Sequence, residues 1–422
     1  MTYHNAHKYI LTSPDALIGD SQGGNLRKLW TALGNPQRNI KYLRLAGSNG
    51  KTVCAEMLMS VYQDSKFKLG CLTTSLRSDL RDNIHIDGKH LSYEKMASYI
   101  ERIYKTATVL DKKSREENEE SFLLTKQDIL LTTALLAFKE SECDLCVIES
   151  DHKHTDPTVF LPHPFAVAIC GTIPCNSKAD IGMIRSYICH GIEEIVSAPQ
   201  DKLAYQIISD SCAAVNCRLT IPTKSQLKIN KLSLSGSEFT YRESDYKLSM
   251  CGKFQINNAV FVIELLKRLS TKGFSLSEEK IKEGLQRTRI PARFEILSIV
   301  PTIIVDSTHS DIAIPAVCES MHDFQGSIGS KIRLCLPDGA IIDKYVSALS
   351  EQGYETGNII VFSKADDGSD HQKQSDRVYC RKMKDLVKRV LADLTQEETL
   401  LISGPSAFTL EVRYELLEKL GY

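Results

Sequence analysis

The sequence predicts an α/β chain in which a large domain on a mostly parallel sheet is followed by a smaller α/β domain. Three observations carry that prediction. A short apolar strand, a glycine turn and an amphipathic helix follow one another over residues 42–62. Helical and strand-like segments then alternate through DILLTTALLAFKE, DLCVIES and AVAIC, the order in which parallel sheets are built. A second series of strands, TIIVD, IRLCL, NIIVF and LLISG, begins after a polar, proline-containing stretch at Pro291–Ser298. That break places a boundary between domains 1–293 and 294–422.

Each element has a local reason. Between Gly24 and Gly34, Leu26, Leu29, Trp30 and Leu33 recur at the three- and four-residue spacing of a helix stripe. Tyr42 to Ala46 is apolar apart from Arg44 and reads as a buried strand, and Val53, Met57, Leu58 and Val61 share one face of the helix after it. The charged run Asp111–Ser121 reads as a solvated loop or insertion. Cys143 and Cys146 lie in a strand-like segment whose alternation sends their side chains to opposite faces. A long helix is expected from Gln255 to Leu269, and no repeat of fixed period is visible.

Composition excludes several classes. The chain has 422 residues with 42% hydrophobic and 25% charged residues, the balance of an ordinary globular protein. Its 52 Lys and Arg nearly match its 53 Asp and Glu, which leaves no general electrostatic attraction to nucleic acid or to an anionic membrane. No stretch has the length and apolarity of a spanning helix, and the opening residues lack a signal-peptide core, so a cytoplasmic location is expected. Thirteen cysteines are scattered without a framework spacing and are expected to be buried thiols. Cys170, Cys175, Cys189 and His190 fit no zinc-finger spacing.

The segment Gly47-Ser48-Asn49-Gly50-Lys51-Thr52 supplies what a triphosphate needs. Small residues let backbone N–H groups approach the phosphates, Lys51 brings a point charge, and Thr52 offers a hydroxyl for Mg²⁺ at a helix N-terminus. The spacing is one variant of the general phosphate loop, with Leu45 where the longer pattern has its first glycine. A plain structural turn would need the glycines alone. ATP and Mg²⁺ are therefore the expected cofactors.

The run LRKLWTALGNPQRNIKYLRLAGSNGKT resembles the opening of folylpolyglutamate and dihydrofolate synthases, members of the Mur ligase superfamily. The resemblance continues through GCLTTSLRSDLRDNIHIDGKHLS, GKFQINNA, GLQRTRIPARFEIL, IIVDSTHSD and LISGPSAFTLEVR, in family order over nearly the whole chain. It implies a Mur-ligase-like central phosphate-loop domain and a smaller Rossmann-like C-terminal domain that closes over the nucleotide. It further implies that Asn258 contacts the nucleotide, Arg293 reaches the phosphates, Asp306 holds ribose with His309 nearby, and Glu149 and Thr74 join Thr52 in holding Mg²⁺. Lys51, Glu149 and Arg293 would then be the catalytic set. The implied activity is an ATP-dependent ligase: a substrate carboxylate is activated as an acyl phosphate and joined to an amino acid such as glutamate, with a folate-like or other carboxylate as acceptor.

The sequence departs from that family at defined places. The glycine-rich continuation after Glu149 is replaced by Ser150-Asp151-His152-Lys153-His154-Thr155-Asp156. Asn176 and Ser177 stand where the family has Asp-His, and Cys189 stands where it has a modified lysine. Ser75 and Leu76 replace a proline and a histidine in the substrate loop. An ATP-binding module of the same fold without ligase chemistry is the alternative that these departures raise.

Overall fold

The structure is a computed structural model and describes residues 1–16, 21–74, 79–150, 156–162, 164–173, 175–188, 191–310, 313–324, 326–363, 377–392 and 394–421. The chain forms two compact units, and neither is one contiguous stretch. The first contains Met1–Lys224 and Asn258–Leu285, the second Ser225–Asn257 and Gln286–Tyr422. They therefore interleave along the chain, whereas the sequence reading divides it once, between residues 293 and 294.

In the first unit, helices α1 (Tyr3–Thr12) and α2 (Ser21–Ala32) precede strand β1 (Tyr42–Gly47) and helix α3 (Lys51–Tyr62). Next come β2 (Leu69–Leu72), β3 (Ile84–Ile86), β4 (Lys89–His90), the helices α4 (Tyr93–Glu116) and α5 (Lys126–Glu140), and β5 (Leu145–Glu149). Then follow β6 (Ala166–Cys170), α6 (Lys178–Ser186), β7 (Glu194–Ser197), α7 (Lys202–Val215) and β8 (Arg218–Thr220). These strands make one eight-stranded sheet in the order β4-β3-β2-β5-β1-β6-β7-β8. The β2-β3 and β3-β4 pairs are antiparallel, and every other neighbouring pair is parallel. Strand β1 sits between β5 and β6 with every residue buried, which is why it reads as a continuous apolar run rather than an alternating one.

Local signals set the helix ends. A capping box between Thr125 and Asp128 starts α5, and Ser177 with Asp180 does the same for α6. Of the stripe expected from Leu26, Leu29, Trp30 and Leu33, the first three are fully buried in α2 while Leu33 follows the helix and is half-buried, and the Trp30 indole N–H donates to Thr132 Oγ1 at 3.0 Å. Two local expectations are corrected. The charged run from Asp111 is not all loop, because Asp111–Glu116 completes α4, whose last turns are laced by the Arg115–Asp111 and Lys112–Glu116 ion pairs one turn apart. Cys143 precedes β5, so strand alternation does not govern it, and its thiol shares a hydrogen bond with that of Cys146.

Helix α8 (Lys253–Ser270) belongs to the second unit up to Asn257 and to the first from Asn258, and α9 (Glu278–Arg287) also runs across a division. The second unit holds a three-stranded antiparallel sheet of β9 (Leu227–Ser233), β10 (Gly236–Tyr241) and β11 (Ser244–Leu248). Its six-stranded sheet contains β12 (Glu295–Ile299), β13 (Thr302–Asp306), β14 (Lys331–Pro337), β15 (Glu355–Phe362), β16 (Arg377–Cys380) and β17 (Glu398–Ser403), ordered β12-β13-β17-β14-β15-β16. Only the β12 pairing is antiparallel. Helices α10 (Ile314–His322), α11 (Ile341–Glu351), α12 (Met383–Leu391) and α13 (Ser406–Leu420) complete it. One core gathers α10 and α11 with Ile304, Leu334 and Leu401, and a second gathers α12 and α13 with Ile303, Val305 and Ile402. Alternate residues of the same strands thus feed separate helix layers, the two-sided covering expected of a doubly wound sheet.

Candidate nucleotide and metal site

Strand β1 ends at Gly47, whose φ of +112° and near-contact with β6 both require glycine. A Cβ there would lie 2.0 Å from the Cys170 carbonyl oxygen. Gly50, at φ +83°, faces Asn258, whose Oδ1 would stand 2.8 Å from an added Cβ. Helix α3 then starts at Lys51 with Gly50 as its N-cap and no side chain capping its first turn. A helix end without a side-chain cap, with its dipole, favours an anion.

The loop's side chains are held in place. Lys51 is 8% exposed, and its Nζ donates to the Gly47 carbonyl at 2.8 Å and to that of Ser48 at 3.4 Å. The ammonium is thus folded back over the loop where phosphate oxygens would compete for it. Ser48 donates its hydroxyl to the Thr172 carbonyl. Gly171, at φ +65°, lies so close to the loop that an added Cβ would stand 2.9 Å from the Asn49 carbonyl oxygen.

Glu149 closes β5 directly beside β1, with Leu45 opposite it in register. The Thr52 hydroxyl donates to its carboxylate at 3.2 Å, and Thr74 also hydrogen-bonds it. At 3% exposure the carboxyl is pushed above the usual carboxylate range by burial, while the Lys51 charge and the bonds from Thr74 and Thr52 oppose that rise. A carboxylate and two hydroxyls gathered at a helix N-terminus form an all-oxygen donor set, which suits a hard divalent cation such as Mg²⁺. A cation there would also relieve the unfavourable burial of the charge. The first unit therefore brings together Gly47, Ser48, Asn49, Gly50, Lys51, Thr52, Thr74, Glu149 and, beside Gly50, Asn258.

The remaining candidates lie in the second unit. Arg293 lines a cleft of about 610 Å³ with Arg289, Phe294 and Met250, and its carbonyl accepts a bond from Gln255 at 3.4 Å. Asp306 ends β13 with both carboxylate oxygens engaged by its own backbone surroundings. Oδ2 accepts from the Phe294 amide at 2.7 Å and Oδ1 from the Thr308 amide at 2.8 Å. His309 is exposed, with Nδ1 3.2 Å from the Ser307 carbonyl. Asp306 is thus a clasp between the Arg293–Phe294 turn and the end of β13.

The departures noted in the sequence acquire structural meaning where they are described. Asp180 accepts from the amides of both Asn176 and Ser177, at 2.9 Å each, so this pair opens α6. Residues 151–155, Ser75 and Leu76, Cys189 and His190 lie outside the described residues. Among the described residues, no group of three or more His, Cys, Asp or Glu side chains is arranged to hold a metal ion. Sequence reasoning missed two features. The first is Gly171, which packs against the phosphate loop and which nothing in its local sequence distinguishes. The second is a buried polar group of Arg44, Ser150, Asp156 and Thr158 behind the end of β5. Arg44, the lone charge in an apolar strand, was its visible signal.

No family model matches the chain. It is 23% identical over 327 residues to the folylpolyglutamate synthase of Lacticaseibacillus casei, covering 74% of each chain. To the dihydrofolate synthase/folylpolyglutamate synthase of Bacillus subtilis it is 21% identical over 415 residues, covering 93% of this chain and 94% of that one. The fold matches that of Mycobacterium tuberculosis folylpolyglutamate synthase, solved in complex with ADP and AMPPCP, at a TM-score of 0.78 with 17% identity and 98% of both chains covered. The chain is thus similar over most of its length to folylpolyglutamate and dihydrofolate synthases, and it has the fold of the solved folylpolyglutamate synthases.

Proposed function

We propose that the protein is an ATP-dependent ligase that activates a substrate carboxylate and joins it to an amino acid. The observation that carries this reading is the convergence of Lys51, Thr52 and Glu149 at the uncapped N-terminus of α3, in a chain whose relatives are named for such synthases. Phosphoryl transfer needs positioning and charge neutralisation more than covalent help from the protein. In this reading the amides of Ser48–Thr52 cradle the β- and γ-phosphates, and Lys51 exchanges its carbonyl partners for phosphate oxygens. Glu149, Thr52 and Thr74 hold Mg²⁺, which when bound neutralises charge on the phosphates. Asn258 contacts the nucleotide, Arg293 supplies a planar guanidinium to the phosphates, and Asp306 and His309 hold the ribose. The acceptor carboxylate attacks the γ-phosphorus to give an acyl phosphate and ADP, and the amine then displaces phosphate to form the amide.

The substrate class follows the relatives: a folate-like or other carboxylate, with glutamate or another amino acid as the amine. A nucleotide-binding module without ligase chemistry is the second reading. It is favoured by one observation, the use of Asn176 and Ser177 to cap a helix at the place where the family's metal-ligating residues are expected. The purified protein, given ATP, Mg²⁺, glutamate and a panel of folates and other carboxylates, separates the two. Acceptor-dependent phosphate release with a product of matching mass supports the ligase. ATP binding by calorimetry without turnover on any acceptor sinks it in favour of the module.

A further inference from the structure

Strand β1 carries a single charged side chain, Arg44, and it is 3% exposed. A guanidinium is seldom tolerated at such burial without partners that answer its charge. Its Nη2 donates to the Thr158 carbonyl at 2.7 Å, while its Nε has no hydrogen-bond partner among the described residues. Nearby, Asp156 caps the short 3₁₀ turn Pro157–Phe160. Oδ1 of Asp156 accepts from the Thr158 amide at 2.9 Å, and Oδ2 accepts from the Thr158 hydroxyl at 2.9 Å and from the Ser150 hydroxyl. Burial pushes the Asp156 carboxyl above its usual range, while the bonds from Ser150 and Thr158 and, least, the Arg44 charge oppose that rise.

Ser150 directly follows Glu149. Its amide donates to the Leu45 carbonyl at 2.8 Å, so its backbone is tied to β1 while its hydroxyl is tied to Asp156. Leu45 is in turn the residue opposite Glu149 in the β1–β5 register. The last residues of β5 are therefore pinned from two sides, and the side-chain hydrogen bonds of Asp156 among the described residues run to positions 150 and 158. A strand end held this way cannot fray, and a carboxylate on it keeps its direction.

We propose that Asp156 is a positioning residue for the Glu149 carboxylate, acting through Ser150 and Thr158. The proposal rests on the reading of Glu149 as a holder of the divalent cation. Groups behind a metal ligand typically change metal affinity by about 10- to 100-fold when removed. Here the tie fixes backbone rather than the ligand atom itself, so the lower end of that range is expected.

The test uses the full chain with Ser150→Ala, Thr158→Val and Thr158→Ser, each chosen to leave the Asp156 carboxylate and the Arg44 bond to the Thr158 carbonyl in place. Asp156→Asn is added as a fourth variant, which removes the carboxylate charge. Expected is a rise of about tenfold in the Mg²⁺ concentration that half-saturates ATP binding or turnover in Ser150→Ala and Thr158→Val, with kcat at saturating Mg²⁺ changed much less. Thr158→Ser keeps the hydroxyl and should restore the dependence lost in Thr158→Val. A purely structural role would lower the melting temperature while leaving the Mg²⁺ dependence unmoved, and that result overturns the proposal. Hydrogen exchange of residues 145–150, read without nucleotide or metal, gives a measure independent of the ligase reading. Faster exchange of the amide at position 150 in Ser150→Ala and Thr158→Val supports the tie, and unchanged exchange refutes it even if the wild type shows no turnover.

Discussion

The phosphate-loop site and the Arg293–Asp306 region are both built at the ends of parallel strands, yet they hold their polar groups in opposite ways. At the first, Lys51 rests on carbonyls of its own loop and the α3 amides carry no side-chain cap, so the donors are kept together and available to an incoming anion. At the second, both oxygens of Asp306 already accept backbone amides, so the carboxylate serves the fold before it serves any ligand. The difference teaches how to weigh a matched residue. A side chain whose partners are exchangeable is poised for binding, whereas one locked to the backbone must share a remaining lone pair or act through the geometry it imposes.

That contrast can be broken or sharpened by substitution. Lys51→Ala should have the largest effect, lowering ATP affinity by about tenfold or more by calorimetry, roughly 1.4 kcal/mol at least. Unchanged affinity would remove the phosphate-loop assignment altogether. Glu149→Gln should reduce Mg²⁺-dependent turnover by about 10² to 10³ while making the unliganded protein more stable at neutral pH. The sign follows from linkage. Burial raises the folded-state pKa of Glu149 above its unfolded value, so the folded form binds the proton more tightly and stability falls as pH rises through that window. Glutamine cannot ionise and escapes this loss, so urea midpoints of the two proteins should converge as pH is lowered below the unfolded carboxylate range. Midpoints that differ equally at all pH values would contradict the buried-charge account.

Asp306→Ala should act first on the fold. Leaving two amides without acceptors costs about 1–3 kcal/mol each where they stay buried, measured as a lower urea midpoint. If stability held and only nucleotide affinity dropped, Asp306 would belong with the poised residues instead. Ser177→Ala should be smallest, costing about 1 kcal/mol through loss of the α6 cap. Its Mg²⁺ dependence should not move, and a tenfold shift would place Ser177 in the metal site after all.

Local sequence was sufficient wherever spacing along the chain fixes spacing in space. The β1–loop–α3 unit is of this kind, because the positive φ at Gly47 and Gly50, the lysine and the helix start are all set within a few residues. The α/β class was legible for the same reason, since apolar periodicity reports how many faces of an element are buried. Family resemblance extended the reading to Glu149, Thr74 and Asn258, which lie far from Lys51 along the chain.

What only the tertiary structure decided concerns polar groups whose partners come from other elements. The end of α4 looked like loop because its charges carry no apolar stripe, yet ion pairs one turn apart keep it helical. The closeness of Gly171 to Asn49 follows from β6 lying beside β1 in the sheet, which strand order and not local pattern determines. Arg44 is an exception within its strand by sequence, and the Thr158 carbonyl, from a distant turn, is what accepts its Nη2. Sequence thus determined most of the helices and strands and marked the glycine-lysine-threonine turn at the start of α3, because those depend on local backbone preference and burial period. Three-dimensional packing determined which buried charges are answered and which carboxylates remain free to bind, because electrostatic partners act through space and sheet order brings them from distant parts of the chain.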